Sequence, residues 1–481
     1  MPQIGIGASM SIRAIMKEVA PALVLLIVVL QPFLIGLNQE TYHGDESIYI
    51  SRGVQSIGLI LRGDFSLDAW WGKTPADIIM GTGSWLSGIK SGHWDFMVRP
   101  PDNVLLSARM PVAILGALSC IVLFYLGRAL GGFRTGLFAA LLLAFNPMWL
   151  MSSRRAMRDT PSAFFSAISV LLFYCSVERK NFKGKAILIA LSGLTTGLAL
   201  GSKLFAGVTL MTIAIYLVLT IIDEYHINRR VGRDIPLSLL IFVTSSLVGF
   251  VVFSPALWSD PMQYILRWFN LGQEFITASE IPLNNMAIPG DKLAAAAGIV
   301  NYVLWPIYVP NPLRHFPTCL TWLNMHAWPS PTYSTFAATS LFFVGLAYVG
   351  LRGAKKKLSH VEMLVLMWFL ISFIGLLWWL PILWARYFVP LIPPLVLIEA
   401  IGLNYILRGI GQRMRYLFAG AVLATHVGST LIGFPEYYLF HLQSLFVNSI
   451  GLTVTAAFVI FVFCITILRL HLRRKHQKSG R

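Results

Sequence analysis

Two adjacent carboxylates, Asp45 and Glu46, stand in Tyr42-His43-Gly44-Asp45-Glu46-Ser47-Ile48-Tyr49, directly after the first long apolar run at 20–37. An acid at the edge of hydrocarbon is expensive to keep there and is a candidate for chemistry. Alone, the pair is equally what a solvated helix end shows. Weight comes from polar residues at the ends of later apolar runs. Arg154, Arg155, Arg158 and Asp159 join the third and fourth runs, and Lys203 the fifth and sixth. Arg386 and Tyr387 join the ninth and tenth, and Glu436, Tyr437, Tyr438 and His441 the eleventh and twelfth. Arg presents a planar fork to phosphate oxygens and Lys a compact charge. Acids and cations together beside lipid suit transfer from a lipid-linked phosphate. A carboxylate can take the proton of an acceptor hydroxyl, and cations can stabilise the departing phosphate oxygen. A carboxylate also steadies an oxocarbenium-like sugar. Lys203 or Arg386 singly would more simply be a snorkelling interfacial residue; their gathering on one face carries the reading.

The elements that must position these residues are membrane helices. The 481 residues are 56% hydrophobic and 12% charged, about half the charged content of soluble domains. Runs near the length of a span fall at 20–37, 109–130, 137–151, 160–177, 186–200, 204–222, 236–254, 334–351, 361–380, 388–407, 415–433 and 449–468. These predict a twelve-span α-helical bundle forming a single domain over 1–481. Arg13 and Lys17 precede the first run, and no small-residue cleavage site follows it, so it reads as a retained helix. With the N-terminus in the cytoplasm, alternate short loops collect Arg134, Arg179 to Lys185, Arg229 to Arg233, Arg352 to Lys357 and Arg408 to Arg415. The tail 469–481 is basic as well. That asymmetry predicts both termini inside. It also accounts for the net charge of +17 as topology and contact with anionic lipid, which excludes a nucleic-acid patch. Four cysteines, mostly inside apolar runs, make neither a disulfide framework nor a zinc site.

Two loops on the outer side, 38–107 and 255–333, are too long for passive connectors and too rich in Trp, Pro and Gly for flexible linkers. Their tryptophans, Trp70, Trp71, Trp85 and Trp94 among them, suit interfacial helices on the outer leaflet. Residues 293–309 are apolar enough for a re-entrant or interfacial helix. No internal repeat is visible.

Taken in order, the motifs resemble those of a family. Asp45-Glu46-x-x-Tyr49 after the first span resembles the first-loop acidic motif of GT-C fold glycosyltransferases that use polyprenyl-phosphate sugars. Protein O-mannosyltransferases and aminoarabinose transferases acting on lipid A belong to that branch. Arg99-Pro100-Pro101, then Arg109-Met110-Pro111 with Tyr125 and Arg128, resemble the family's next segments. Arg154 to Pro161 resembles its second acidic motif, Gly197 to Lys203 its Gly-Leu-Ala-x-x-x-Lys turn, and Arg386-Tyr387-x-x-Pro390-x-x-Pro393 its Arg-Tyr segment. Pro435-x-Tyr437 with His441 resembles its last outer loop. Asp102 and Arg158 stand where the family usually has apolar residues. The resemblance implies a GT-C fold with Asp45 as catalytic base, Glu46 beside it and Asp159 as supporting acid. It implies Arg154, Lys203 and Arg386 on the donor phosphate, and Tyr49, Arg99, Arg155, Tyr387 and His441 on substrate. The expected reaction moves a monosaccharide from a polyprenyl-phosphate donor to a lipid glycan, an envelope polysaccharide or a protein hydroxyl. It takes place on the extracytoplasmic face of the plasma membrane. No cofactor is required, and a divalent metal between paired acids is allowed by the chemistry without being indicated. A twelve-span transporter or flippase of lipid-linked sugars is the chief rival, and a polymerase or ligase using a lipid diphosphate the third reading. Transporters place polar sites near the midplane, whereas here they collect at the outer ends.

Overall fold

Apolar runs in lipid must satisfy their own backbone, which leaves helices or a closed barrel. The computed structural model describes residues 12–40, 42–95, 98–230, 232–264, 266–267, 336–355, 357–379 and 385–433, and among them there is no strand. The helices are α1 (Ile12–Leu34), α2 (Gly44–Arg62), α3 (Leu67–Trp70), α4 (Pro75–Leu86), α5 (Asp102–Gly131), α6 (Phe133–Ala144), α7 (Pro147–Ser153), α8 (Asp159–Val177), α9 (Phe182–Ser202), α10 (Gly207–Asn228), α11 (Asp234–Val252) and α12 (Ala256–Ser259). After them come α13 (Phe336–Ala354), α14 (His360–Trp379), a 3-10 turn at Ala385–Leu391, α15 (Ile392–Gly409) and α16 (Gln412–Gly433). The chain divides into two compact units, Met1–Thr430 and Leu431–Arg481, and the features below belong to the first.

Eleven of the twelve expected runs fall on helices; the twelfth, 449–468, lies outside the described residues, as does 293–309. Seven of the described helices are long and apolar enough to cross a membrane, and four more apolar segments are shorter. The protein is a multi-pass membrane protein. The run 137–151 is not one helix. Asn146 accepts the Trp149 amide N–H at 3.0 Å and Pro147 takes the first helical position, so the chain breaks between α6 and α7. The segment expected as a Gly-Leu-Ala-x-x-x-Lys turn also differs, because α9 stays helical to Ser202 and only Lys203 leaves it, with an extended backbone. Gly197 instead serves close packing: a Cβ there would lie 2.3 Å from the Ser246 carbonyl oxygen of α11, the small-residue contact by which membrane helices approach.

The first long loop folds into α2, α3 and α4. Helices α2 and α4 cross at Gly53 and Gly81, where a Cβ on Gly81 would fall 2.1 Å from the Gly53 carbonyl oxygen. Ile50, Val54, Ala76, Met80, Val104, Leu105, Ala108 and Val112 form the core that ties this pair to α5. Trp70, expected at the lipid interface, is fully buried, and its indole N–H donates to the Asp64 carbonyl at 2.7 Å. This loop is therefore a packed part of the bundle, with α2 held against α4 and α5.

Candidate active site

Asp45 enters the site because the chain starts α2 one residue before it. His43 is the N-cap: its Nδ1 accepts the Asp45 amide N–H at 3.2 Å, and Glu46 accepts the His43 N–H at 2.9 Å. This reciprocal box fixes the first turn and aims Asp45 off the end of the helix, where the dipole favours negative charge. A nitrogen that accepts carries no proton, so His43 is neutral with its proton on Nε2. Burial, followed by the charges of Arg155 and Arg386, pushes its pKa down from 6.5 to about 3 against the pull of Glu46.

Two ion pairs meet at one ring. Asp45 pairs with Arg386, and Asp159, the first residue of α8, pairs with Lys203. The Lys203 ammonium lies 4.8 Å and the Arg386 guanidinium carbon 5.4 Å from the centre of the Tyr387 ring. Residues from α2, α8, the end of α9 and the turn before α15 thus converge, across 341 positions of sequence between Asp45 and Arg386. Asp45, Arg386 and Lys203 keep 15%, 13% and 17% of their side-chain surface: dry enough to sharpen electrostatics and open enough for a ligand to reach.

Other predicted site residues point elsewhere. Glu46, expected beside Asp45 in catalysis, is fully buried and faces the opposite way. It takes a two-pronged contact from Arg109 at 2.8 Å and the Ala156 amide N–H at 2.8 Å. Burial raises its pKa, but the Arg109 charge and these hydrogen bonds together outweigh burial and hold the carboxyl below the usual range. Arg109 also donates to the carbonyls of Leu37 at 3.2 Å and Glu40 at 2.8 Å. Arg154, expected on the phosphate, is spent on Glu40 at 2.8 Å and on the last carbonyls of α1. It donates to Pro32 and Ile35 at 2.7 Å and to Gly36 at 2.9 Å. Its fork closes the C-terminus of α1, whose orphan carbonyls need donors. It therefore stands off the Asp45–Arg386 pair. Arg155 shares Glu40 at 3.6 Å and sets the electrostatics around His43.

Tyr49 lies one turn along α2 from Asp45, its ring 4.4 Å from the Arg158 guanidinium. Burial pushes its hydroxyl up to about 12 although the Arg158 charge lowers it. Arg158 forks onto Asp77 at 2.8 and 2.6 Å. Arg99 stays at the surface, pairing with Asp102 at 2.7 Å where α5 begins, apart from the Tyr387 centre. His441, with Pro435 and Tyr437, lies outside the described residues. Among the described residues no group of three or more His, Cys, Asp or Glu gathers as metal ligands would. Sequence reasoning missed the roles of His43, Glu40, Arg109 and Asp77. Asp77 carried a readable signal, since Thr74-Pro-Ala-Asp77 is a capping box, and Arg109 stood in a motif without its partner being legible.

Residues 101–258 match the family described as dolichyl-phosphate-mannose-protein mannosyltransferase. The match runs from the residue before α5 to α12, about a third of the chain. It bears out the resemblance to GT-C glycosyltransferases drawn from the motifs. No curated protein sequence matches the chain. Among solved structures, the apo oligosaccharyltransferase of Archaeoglobus fulgidus is similar at 15% identity and a TM-score of 0.48, over 88% of this chain and 55% of that one. ArnT from Cupriavidus metallidurans bound to undecaprenyl phosphate is similar at 15% identity and 0.48, over 95% and 73%. The S. cerevisiae Pmt1-Pmt2 complex bound to its sugar donor is similar at 20% identity and 0.40, over 49% and 33%. This chain therefore spans just over half the length of the archaeal enzyme.

Proposed function

We propose that the protein is a membrane glycosyltransferase that moves a monosaccharide from a polyprenyl-phosphate donor to an acceptor hydroxyl on a lipid glycan, an envelope polysaccharide or a protein. The site faces the extracytoplasmic side of the plasma membrane and both termini face the cytoplasm. One observation supports the reading: two carboxylate–cation pairs, Asp45–Arg386 and Asp159–Lys203, share the Tyr387 ring. The donor phosphate bridges Lys203 and Arg386. Drawing Arg386 toward phosphate releases a lone pair of Asp45, which accepts the proton of the acceptor hydroxyl. The acceptor oxygen bonds to the anomeric carbon as the carbon–oxygen bond to phosphate breaks. The bonding electrons go to the phosphate oxygen, where the two cations stabilise the charge. Asp159 orients Lys203, and Glu46 with Arg109 holds the first turn of α2 so that Asp45 stays on line. Arg154 and Arg155 act behind that, through Glu40.

Purified full-length protein in nanodiscs, a polyprenyl-phosphate sugar and a panel of acceptors, with product followed by mass, tests the proposal. Asp45→Asn is expected to lower turnover by about 10²- to 10⁴-fold, the usual contribution of a general base, while polyprenyl-phosphate binding persists. Near-normal transfer by Asp45→Asn removes the base. Donor movement across the bilayer with no glycosidic product from any acceptor favours the flippase reading.

A further inference from the structure

Asp45, Tyr49 and Arg52 are spaced four and three residues apart and share one face of α2. Arg52 stands about 10 Å along that face from Asp45, at 1.5 Å per residue. The loop between α3 and α4 folds against it. Gly72 has φ +70, and a Cβ there would lie 3.1 Å from the Arg52 guanidinium carbon, so the guanidinium covers this glycine. The Gly72 carbonyl accepts from Arg158 at 2.6 Å. Lys73 follows, half-buried, its ammonium donating to the Ala69 carbonyl at 2.5 Å. Three cations therefore surround one carboxylate, Asp77, whose oxygens are taken by the Arg158 fork and by the Thr74 amide N–H at 2.8 Å. Among the described residues the Arg52 guanidinium makes no hydrogen bond and no ion pair. Burial, and then the like charge of Arg158, pushes its pKa down; Lys73 is lowered by burial and then by Arg52. Asp77 offsets one charge of the three and is already forked by Arg158, so two partly desolvated cations lack a counter-charge of their own, a cost to stability that is recovered when an anion arrives.

We propose that Arg52 and Lys73, backed by Arg158, form an anion subsite that seats a phosphate or carboxylate carried by the acceptor, about 10 Å from Asp45. The placement rests on the glycosyl-transfer reading, because it assigns the Tyr387 cations to the donor phosphate and this second cluster to the acceptor. The span suits a sugar or two between the attacking hydroxyl and the charge. A guanidinium fork with an ammonium at its side matches an oxyanion with several acceptor oxygens.

Three probes separate the sources: an alkyl glucoside, its 6-phosphate and the corresponding alkyl glucuronide. Binding of each to the full-length protein in nanodiscs is measured beside binding of polyprenyl phosphate. The expected result is that the phosphate or the glucuronide binds about ten- to a hundredfold more tightly than the neutral glucoside, the scale of charge-assisted hydrogen bonds. Arg52→Gln with Lys73→Gln abolishes that preference, Arg52→Lys restores part of it, and polyprenyl-phosphate binding holds. Equal binding of all three probes, or a preference that survives the double substitution, overturns the subsite. A matching loss of polyprenyl-phosphate binding also overturns it, by assigning these cations to the donor. Lys73→Gln alone, at a half-exposed position, keeps the test open where the double variant does not fold. If the binding preference appears and no probe is ever glycosylated, the subsite stands and the transferase reading fails.

Discussion

His43 gives the sharpest quantitative expectation. Its folded pKa of about 3 lies far below the ordinary 6.5, first because it is buried and then because Arg155 and Arg386 repel the charged form. Glu46 attracts that form, but its carboxylate is already held by Arg109. Asp45, 3.9 Å away, is held by Arg386. Between pH 3 and 6.5 the unfolded chain binds the proton and the folded chain does not, so stability rises with pH. The contribution is complete above 6.5 and declines as pH falls toward 3. From pH 7 to pH 5 the loss is about 2 kcal/mol, at about 1.4 kcal/mol per unit. His43→Asn keeps a side-chain acceptor for the Asp45 amide N–H, since Asn is a favoured N-cap, and removes the titration. Thermal unfolding in detergent at pH 5, 6 and 7 is the assay. The wild type is expected to lose midpoint steadily below pH 6.5, and His43→Asn to lose about 2 kcal/mol less between pH 7 and 5. Identical acid slopes for the two proteins would refute the neutral, accepting His43 and the cap built on it. The same geometry forbids a His43 limb near 6.5 in the pH–rate profile.

Glu46→Gln leaves Arg109 buried without its counter-charge, so about 3–5 kcal/mol of stability should be lost. Size-exclusion profiles and thermal midpoints will show it, and a well-folded Glu46→Gln that lacks only activity would return Glu46 to the reaction. Lys203→Gln removes one charged contact to phosphate, and kcat/KM for the donor should fall about tenfold to a hundredfold, with less change in the acceptor's KM. Steady-state kinetics with each substrate varied in turn decides this. Ser66→Cys, on the outer loop before α3, should react with a membrane-impermeant thiol reagent in cells with their outer barriers opened. Ser479→Cys in the basic tail should not, and the reverse pattern inverts the membrane orientation and moves the site inside.

Much of this protein could be read along the chain because the membrane leaves so few choices. A lipid-facing backbone has to be helical, so runs of apolar residues locate α8, α11 and α14 closely and find α5 and α10 with one displaced end each. Asp45, Asp159, Lys203, Arg386 and Tyr387 stood out for a related reason: charged and aromatic residues at helix ends are few, and each needs an explanation. Only the tertiary structure could say which of them meet. Arg154 and Arg155 are neighbours of the same type, yet one guanidinium closes the end of α1 and the other modulates His43. Asp45 and Glu46 are neighbours too, and a helix turns successive side chains about 100° apart. That rotation sends one to Arg386 and the other into the core onto Arg109. Which side becomes core depends on how α2 docks on α4 and α5 through Gly53 and Gly81, a contact between residues far apart in the chain that no local pattern encodes. The sequence alone determined the helices, their residues and the class of chemistry at their ends. The packing of α2 decided which acid meets Arg386 and which one is buried against Arg109.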